Sequence, residues 1–159
     1  GGSVAFQGIP LAVVAKPQAN PYVDRLMNRN RALFGMNVIP TGAPIRHIVR
    51  ALRKGEAIGL ISDQDAGSRG VFVDFFGRKA STTQGAAQLA LKYGAPLIVS
   101  MTVRLEFGRY RTVMREVPAL PADTVETLTQ RYTAVMEEII RKYPDQYFWM
   151  HRRWKTRPS

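Results

Sequence analysis

The sequence predicts an α/β fold with a mixed, largely parallel sheet flanked by helices, on three observations. Short apolar runs alternate with stretches of 3.6-residue periodicity from Ile9 to Gly94, the pattern of parallel strands joined by helices. Two runs rich in β-branched residues follow, joined around Phe107-Gly108, and a long amphipathic stretch comes after them. The 159 residues are 45% hydrophobic and 22% charged, with no internal repeat and no linker long enough to divide them. One domain with its own core is therefore expected.

Taken in order, Ile9–Ala15 (IPLAVVA) reads as the first strand. Asn20-Pro21 offers a cap and a first helical residue, and Val23, Leu26, Met27, Leu33 and Phe34 give that helix an apolar stripe ended by Gly35. Asp24, Asn28 and Arg31 share another face, one turn apart. Met36–Ile39 is a short strand. Thr41–Lys54 reads as a helix with Ile45, Ile48, Val49 and Leu52 on one side and Arg46, His47, Arg50, Arg53 and Lys54 on the other, stopped by Gly55. That placement makes His47 an exposed basic-face residue rather than a base.

Ala57–Ile61 is a bounded apolar run that ends at Asp63-Gln64-Asp65, followed by Gly67, Gly70 and a second run, Val71–Phe76, closed by Gly77. Ser81, Thr82 and Thr83 are capping candidates for a helix through Leu91, closed by Gly94. Pro96–Val103 and Tyr110–Val117 form the hairpin strands. Asp123 is the expected cap of the last helix, whose inward face is Val125, Leu128, Tyr132, Val135, Met136, Ile139 and Ile140, with Pro144 ending it. The tail interleaves aromatics and arginines.

Composition removes some chemistries. There is no cysteine, hence no disulfide and no thiolate catalysis, and only two histidines, His47 and His151, which leaves little for a zinc site. No apolar run reaches the roughly 18 residues a membrane helix needs. The net charge of +11 is concentrated: Arg25–Lys54 holds seven Lys/Arg and no acid, and His151–Ser159 holds four and no acid. Such a field attracts an anionic partner, whether nucleic acid, anionic lipid or an acidic protein.

Two carboxylates just past a strand end sit where open α/β sheets place their ligand crevice. Asp63 and Asp65 leave three readings open. They could hold a divalent metal on a diphosphate, as in nucleotide-sugar transferases. They could accept hydrogen bonds from substrate hydroxyls or pair with a guanidinium. They could simply cap the following turns. In the tail, Trp149, His151, Arg152, Arg153 and Trp154 suit a nucleic-acid or lipid-interface patch, or else Phe148 and Trp149 are core with the arginines facing solvent. No P-loop, dinucleotide fingerprint, nucleophile elbow or HExxH is present.

Three blocks, NPYVDRLMNRNR, ALRKGEAIGLISDQDAGSRGVFVDFFGRKASTTQGAAQLALKYGAPLI and YFWMHRRWKTRP, resemble the lipid A biosynthesis lauroyl/myristoyl acyltransferases of the lysophospholipid acyltransferase-like superfamily. The resemblance runs from about Ile9 to Pro158. It implies a glycerolipid-acyltransferase-like fold and an enzyme at the cytoplasmic face of the inner membrane. That enzyme would move a fatty acyl chain from acyl carrier protein to a hydroxyl of a phosphorylated disaccharide lipid A precursor. No cofactor, metal or nucleic-acid partner is implied, and the anionic membrane surface is an expected partner.

The family's His-x4-Asp/Glu pair, with the histidine as general base, normally lies upstream of the segment matching GIPLAVVAKP. Neither His47 nor His151 is followed by an acid five residues on, those positions being Leu52 and Thr156. The chain is therefore expected to be an N-terminally truncated acyltransferase domain, 1–159, with no catalytic residue of its own and no membrane helix. Carried over by resemblance are Arg31, toward a phosphate or the acyl carbonyl, and Asp63, Gln64, Asp65 and Gly67, toward the acceptor pocket. A metal-dependent glycosyltransferase using Asp63 and Asp65, or a basic nucleic-acid-binding module, are the alternatives.

Overall fold

LAVVA carries no polar side chain, so it has no face to give to water, and in a computed structural model it becomes the central strand of a three-stranded parallel sheet. The structure describes residues 5 and 8–158. They fall into two compact units, Gly1–Ile61 and Ser62–Ser159.

In the first unit, β1 (Leu11–Ala15), α1 (Pro21–Leu33), β2 (Met36–Pro40), α2 (Ile45–Arg53) and β3 (Ala57–Gly59) alternate as expected. The sheet order is β2-β1-β3, all parallel, with Val13 beside Val38 on one side and Gly59 on the other. The small core is Ala12, Ile39 and Ala51, with Val14, Ala43, Ile48 and Ile58 against it. Asn20 caps α1 through its side-chain oxygen, which accepts from the amides of Tyr22 (2.9 Å) and Val23 (3.4 Å), and Pro21 occupies the first turn. The expected apolar stripe of α1 is exposed instead: the helix buries none of its residues, and Leu33 is 74% exposed. α2 is shorter than expected, because Thr41 to Ala43 are held in a turn through Gly42 (φ +87°) before Pro44 opens the helix.

The second unit holds a 3₁₀ turn (Gly67–Arg69), β4 (Val71–Phe75), β5 (Arg78–Thr82), α3 (Gly85–Tyr93), β6 (Ile98–Glu106), β7 (Arg109–Glu116), α4 (Val125–Lys142) and a 3₁₀ turn (Pro144–Gln146) before the irregular tail. β4–β5 and β6–β7 are antiparallel ladders. The fold is thus mixed α/β, with its parallel part in the first unit. The core gathers Phe75, Ala80, Ala87, Ala90, Leu97, Val99, Val117 and the inward face of α4. Two glutamine amides close strand edges by imitating a neighbouring strand. Gln130 takes the Asp74 amide (2.7 Å) and donates to its carbonyl (3.0 Å), and Gln146 does the same at Arg104 (2.7 and 2.9 Å).

Two local expectations are corrected. Ser81 and Thr82 do not cap α3; they are fully buried residues of β5, which turns back on β4 through Phe76-Gly77, both at positive φ (52° and 73°). The cap of α4 is Thr124, not Asp123: Thr124 and Thr127 form a capping box, each backbone amide donating to the other's hydroxyl (2.8 and 3.2 Å). Asp123 lies one residue earlier and accepts from the Leu120 amide (2.8 Å), the Thr127 hydroxyl (2.9 Å) and the Arg131 guanidinium.

Those donors, the Leu120 amide foremost, hold the Asp123 carboxyl below its ordinary 3.8 against a smaller burial penalty. A depressed folded-state pKa stabilises the fold above the unfolded value, and the contribution is lost as pH falls through the folded value. Asp123→Asn should therefore lower the melting temperature at neutral pH and converge on the parent in acid. Parallel melts across pH check this, and a difference undiminished in acid refutes it.

Candidate functional site

The Asp63–Gly67 loop is braced from beneath by β5 and from the side by the tail. Gly67 adopts φ +65°, its amide donates to Asp65 Oδ2 (3.2 Å), and its carbonyl accepts from Ser81 Oγ (2.6 Å). Gly70 closes the loop against the same strand. A Cβ there would lie 2.2 Å from Ser81 Oγ, 2.7 Å from Ala66 Cβ and 2.8 Å from the Thr82 carbonyl, so no side chain fits.

Four hydrogen bonds tie the loop to residues more than eighty positions away. The Tyr147 hydroxyl donates to the Asp63 carbonyl (3.1 Å). The Asp65 amide donates to His151 Nε2 (2.8 Å). Thr156 donates twice to the Asp65 carboxylate, from its hydroxyl to Oδ2 (2.9 Å) and from its amide to Oδ1 (3.3 Å). The two acids therefore differ in state. Asp65 is occupied within the chain as the turn cap that one sequence reading allowed, and a metal would have to displace Thr156 and Gly67 to reach it. Asp63 is half-buried, and its carboxylate has no hydrogen-bond partner among the described residues. Gln64 is exposed.

Arg153 fixes this arrangement. It is 1% exposed, its Nη1 donates to the Ser81 carbonyl and its Nη2 to Thr82 Oγ1, and its guanidinium lies 5.2 Å from the Phe75 ring centroid. It forms no ion pair among the described residues, and its buried Nε has no partner. Burial pulls its pKa below the ordinary arginine value, opposed by the fields of Tyr147, Asp65, Tyr132 and Asp63. Tyr147 is pushed up to about 12, by burial first and then by the Asp63 charge. A phenol neutral across the physiological range therefore keeps its proton as the donor to the loop.

Around Arg153 the tail rings interlock with the β4–β5 hairpin: Trp154 packs on Phe75 (5.6 Å), Trp149 on Phe76 (5.5 Å), and Tyr147 on Trp149 (4.8 Å). Neither sequence reading of the tail anticipated this. Phe148 and Trp149 are largely exposed, and it is an arginine that enters the core. The run of arginines between aromatics was the available signal, but nothing in its spacing distinguishes Arg153 from Arg152.

In the first unit, Arg31 Nη1 donates to Asn28 Oδ1 (2.8 Å), Asn28 Nδ2 donates to Asp24 Oδ2 (2.9 Å), and Asp24 Oδ1 accepts from the Gln18 amide (2.8 Å). The shared face predicted for these residues is real. The asparagine stands between the charges, so Arg31 is oriented by a neutral amide rather than neutralised by a direct ion pair. His47 is exposed, as expected.

The chain matches the family model described as "Bacterial lipid A biosynthesis acyltransferase" over residues 3–156. It is 33% identical over 167 residues to the lipid A biosynthesis palmitoleoyltransferase of Escherichia coli (strain K12), covering 99% of this chain and 52% of that protein. It is 34% identical over 150 residues to the lauroyltransferase of the same organism (92% and 49%) and 26% identical over 159 residues to its myristoyltransferase (97% and 49%). The chain spans about half the length of these curated relatives.

Proposed function

The chain belongs to the bacterial lipid A biosynthesis acyltransferase family, and on that premise we propose that it serves transfer of a fatty acyl chain from acyl carrier protein to a hydroxyl of a lipid A precursor. The family match across residues 3–156 carries this reading, with the braced Asp63 loop as its structural counterpart. In the reaction the acceptor hydroxyl loses its proton to a general base and attacks the thioester carbonyl. The ester C–O bond forms, the C–S bond breaks, and the proton passes to the departing sulfur. Donors aimed at the developing oxyanion lower the barrier.

This chain's contribution is to substrate positioning. Asp63, with Gln64 and Gly67 in the same loop, receives acceptor hydroxyls, and Asp65 holds the loop in shape. Arg31, aimed by Asn28, meets a phosphate or the polarised acyl carbonyl. The exposed cations of α1 and α2, Arg25, Arg29, Arg46, Arg50 and Arg53, with Lys54 just past the end of α2, suit an acidic carrier protein and the anionic cytoplasmic face of the inner membrane.

Two outcomes test the reading. The 159 residues alone should show no acyl transfer to a lipid A precursor, since neither histidine has the His-x4-Asp/Glu spacing. Turnover by the isolated chain would overturn that. In an enzyme carrying that motif, Asp63→Asn and Arg31→Ala should each reduce kcat/KM on the order of 100-fold without changing the melting temperature. Unchanged kinetics in both would leave neither residue a part in substrate binding.

A further inference from the structure

The geometry points to a second binding site in the second unit: the groove walled by Trp149, His151, Arg152, Trp154, Lys155 and Arg157 binds a phosphate monoester. Its volume is about 360 Å³, large enough for a phosphate and the residue that carries it.

The groove is built on a rigid frame. Arg153 is locked to Ser81 and Thr82 beneath it, and Thr156 is bonded to Asp65. Trp149 Nε1 donates to the Pro144 carbonyl (2.6 Å), and Trp154 Nε1 donates to the Phe75 carbonyl (3.3 Å). A turn closed by the Lys155 amide on the Arg152 carbonyl (3.0 Å) brings these two cations to the same end of the loop. On this frame Arg152, Lys155 and Arg157 are exposed, and none has a side-chain hydrogen bond or ion pair among the described residues. Because His151 Nε2 accepts from the Asp65 amide, the neutral ring carries its proton on Nδ1, a further donor.

Three exposed cations share this fixed loop, and the carboxylate that reaches it, Asp65, is already bonded to Thr156 and to the Gly67 amide. None of the tethers that hold the loop uses the side chain of Arg152, Lys155 or Arg157, so no internal contact among the described residues explains these three charges. A phosphate monoester answers the arrangement. It carries nearly two charges and three terminal oxygens at neutral pH, against one charge and two oxygens for a diester, and guanidinium forks match it in two-point contact. The exposed Trp149 ring offers an apolar wall for the group bearing the phosphate.

This deepens the acyl-transfer reading by assigning a place to a phosphate on the acceptor, and rests on it only for the bearer's identity. Binding is read without turnover, so the two can fail separately. The chain's two tryptophans both line the groove, which makes intrinsic fluorescence a local reporter. Titration of the 159-residue chain with inorganic phosphate should give a saturable change that chloride at equal ionic strength does not reproduce. Phosphatidylcholine vesicles carrying phosphatidic acid should bind more tightly than vesicles carrying phosphatidylglycerol. A response to the vesicles alone identifies a lipid-borne phosphate, and a response to both identifies the phosphate group itself.

The Arg152→Ala/Arg157→Ala pair should weaken the response about tenfold or more, with the circular dichroism spectrum unchanged. The Arg152→Lys/Arg157→Lys pair, which keeps the charge but loses the forks and guards against misfolding, should recover part of it. A chloride-like response to both probes, equal binding of the two vesicle types, tighter binding of a short oligonucleotide, or affinity unchanged in the alanine pair overturns the assignment.

Discussion

Arg153→Ala should destabilise the second unit by about 3 kcal/mol, lowering its melting temperature on the order of 10 °C. The substitution removes the guanidinium donor from the Ser81 carbonyl, which keeps the Ala66 amide (3.1 Å), and from Thr82 Oγ1, which keeps only its own bond to the Ala80 carbonyl (3.2 Å), and it opens a cavity beside Phe75 where the guanidinium lay. An opposing term exists, since a buried arginine without a carboxylate partner is itself expensive, as its lowered pKa and orphaned Nε indicate. Arg153→Met separates the two. It refills the volume without the charge, so it should be less harmful than alanine while still losing the tail's tethers. A melting temperature unchanged in the alanine variant would mean that Arg153 anchors nothing. The loss should also reach the loop, because the residues that brace it, His151 and Thr156, stand on the same stretch of tail. In an enzyme carrying the general-base motif, Arg153→Met should raise KM for the acceptor before it lowers kcat.

Gly70→Ala should be comparably damaging, by roughly 3 kcal/mol, although it adds one methyl group. The new carbon would meet a hydroxyl at 2.2 Å, a methyl at 2.7 Å and a backbone carbonyl at 2.8 Å, and two of those three belong to β5 residues that also carry Arg153. The hydroxyl is held by its bond to the Gly67 carbonyl (2.6 Å) and the other two are a β-carbon and a backbone oxygen, so the strand or the loop must move. Gly67→Ala is the control: there nothing crowds the added carbon and only the positive φ opposes it, giving a loss of about 1 kcal/mol. Equal losses at the two positions, measured by denaturant unfolding, would show that backbone conformation rather than close packing governs both.

How much of this was legible in the residues depended on how far apart the cooperating groups lie. The order of strands and helices apart from β5, the Asn20-Pro21 start of α1 and the shared face of Asp24, Asn28 and Arg31 all follow from periodicity and caps within one or two turns. β5 escaped, because Ser-Thr-Thr before an alanine-rich stretch is a strong cap signal and Phe-Gly is a poor turn signal, a non-glycine residue at positive φ being uncommon. Distant groups hold that turn: Glu137 accepts from the Phe76 amide (2.9 Å), while Arg141 (4.8 Å) and Trp149 (5.5 Å) grip its ring.

By itself the sequence determined the α/β class, the concentration of positive charge and the family, through blocks whose residues and order are specific. Only the tertiary structure decided that Asp65 is consumed in holding the loop while Asp63 is left without a hydrogen-bond partner. It alone decided that, of two adjacent arginines, Arg153 turns inward while Arg152 stays in solvent. The reason is separation: the groups that make these choices pair residues 71 to 91 positions apart, and a local pattern carries no record of which partner a fold will bring to it.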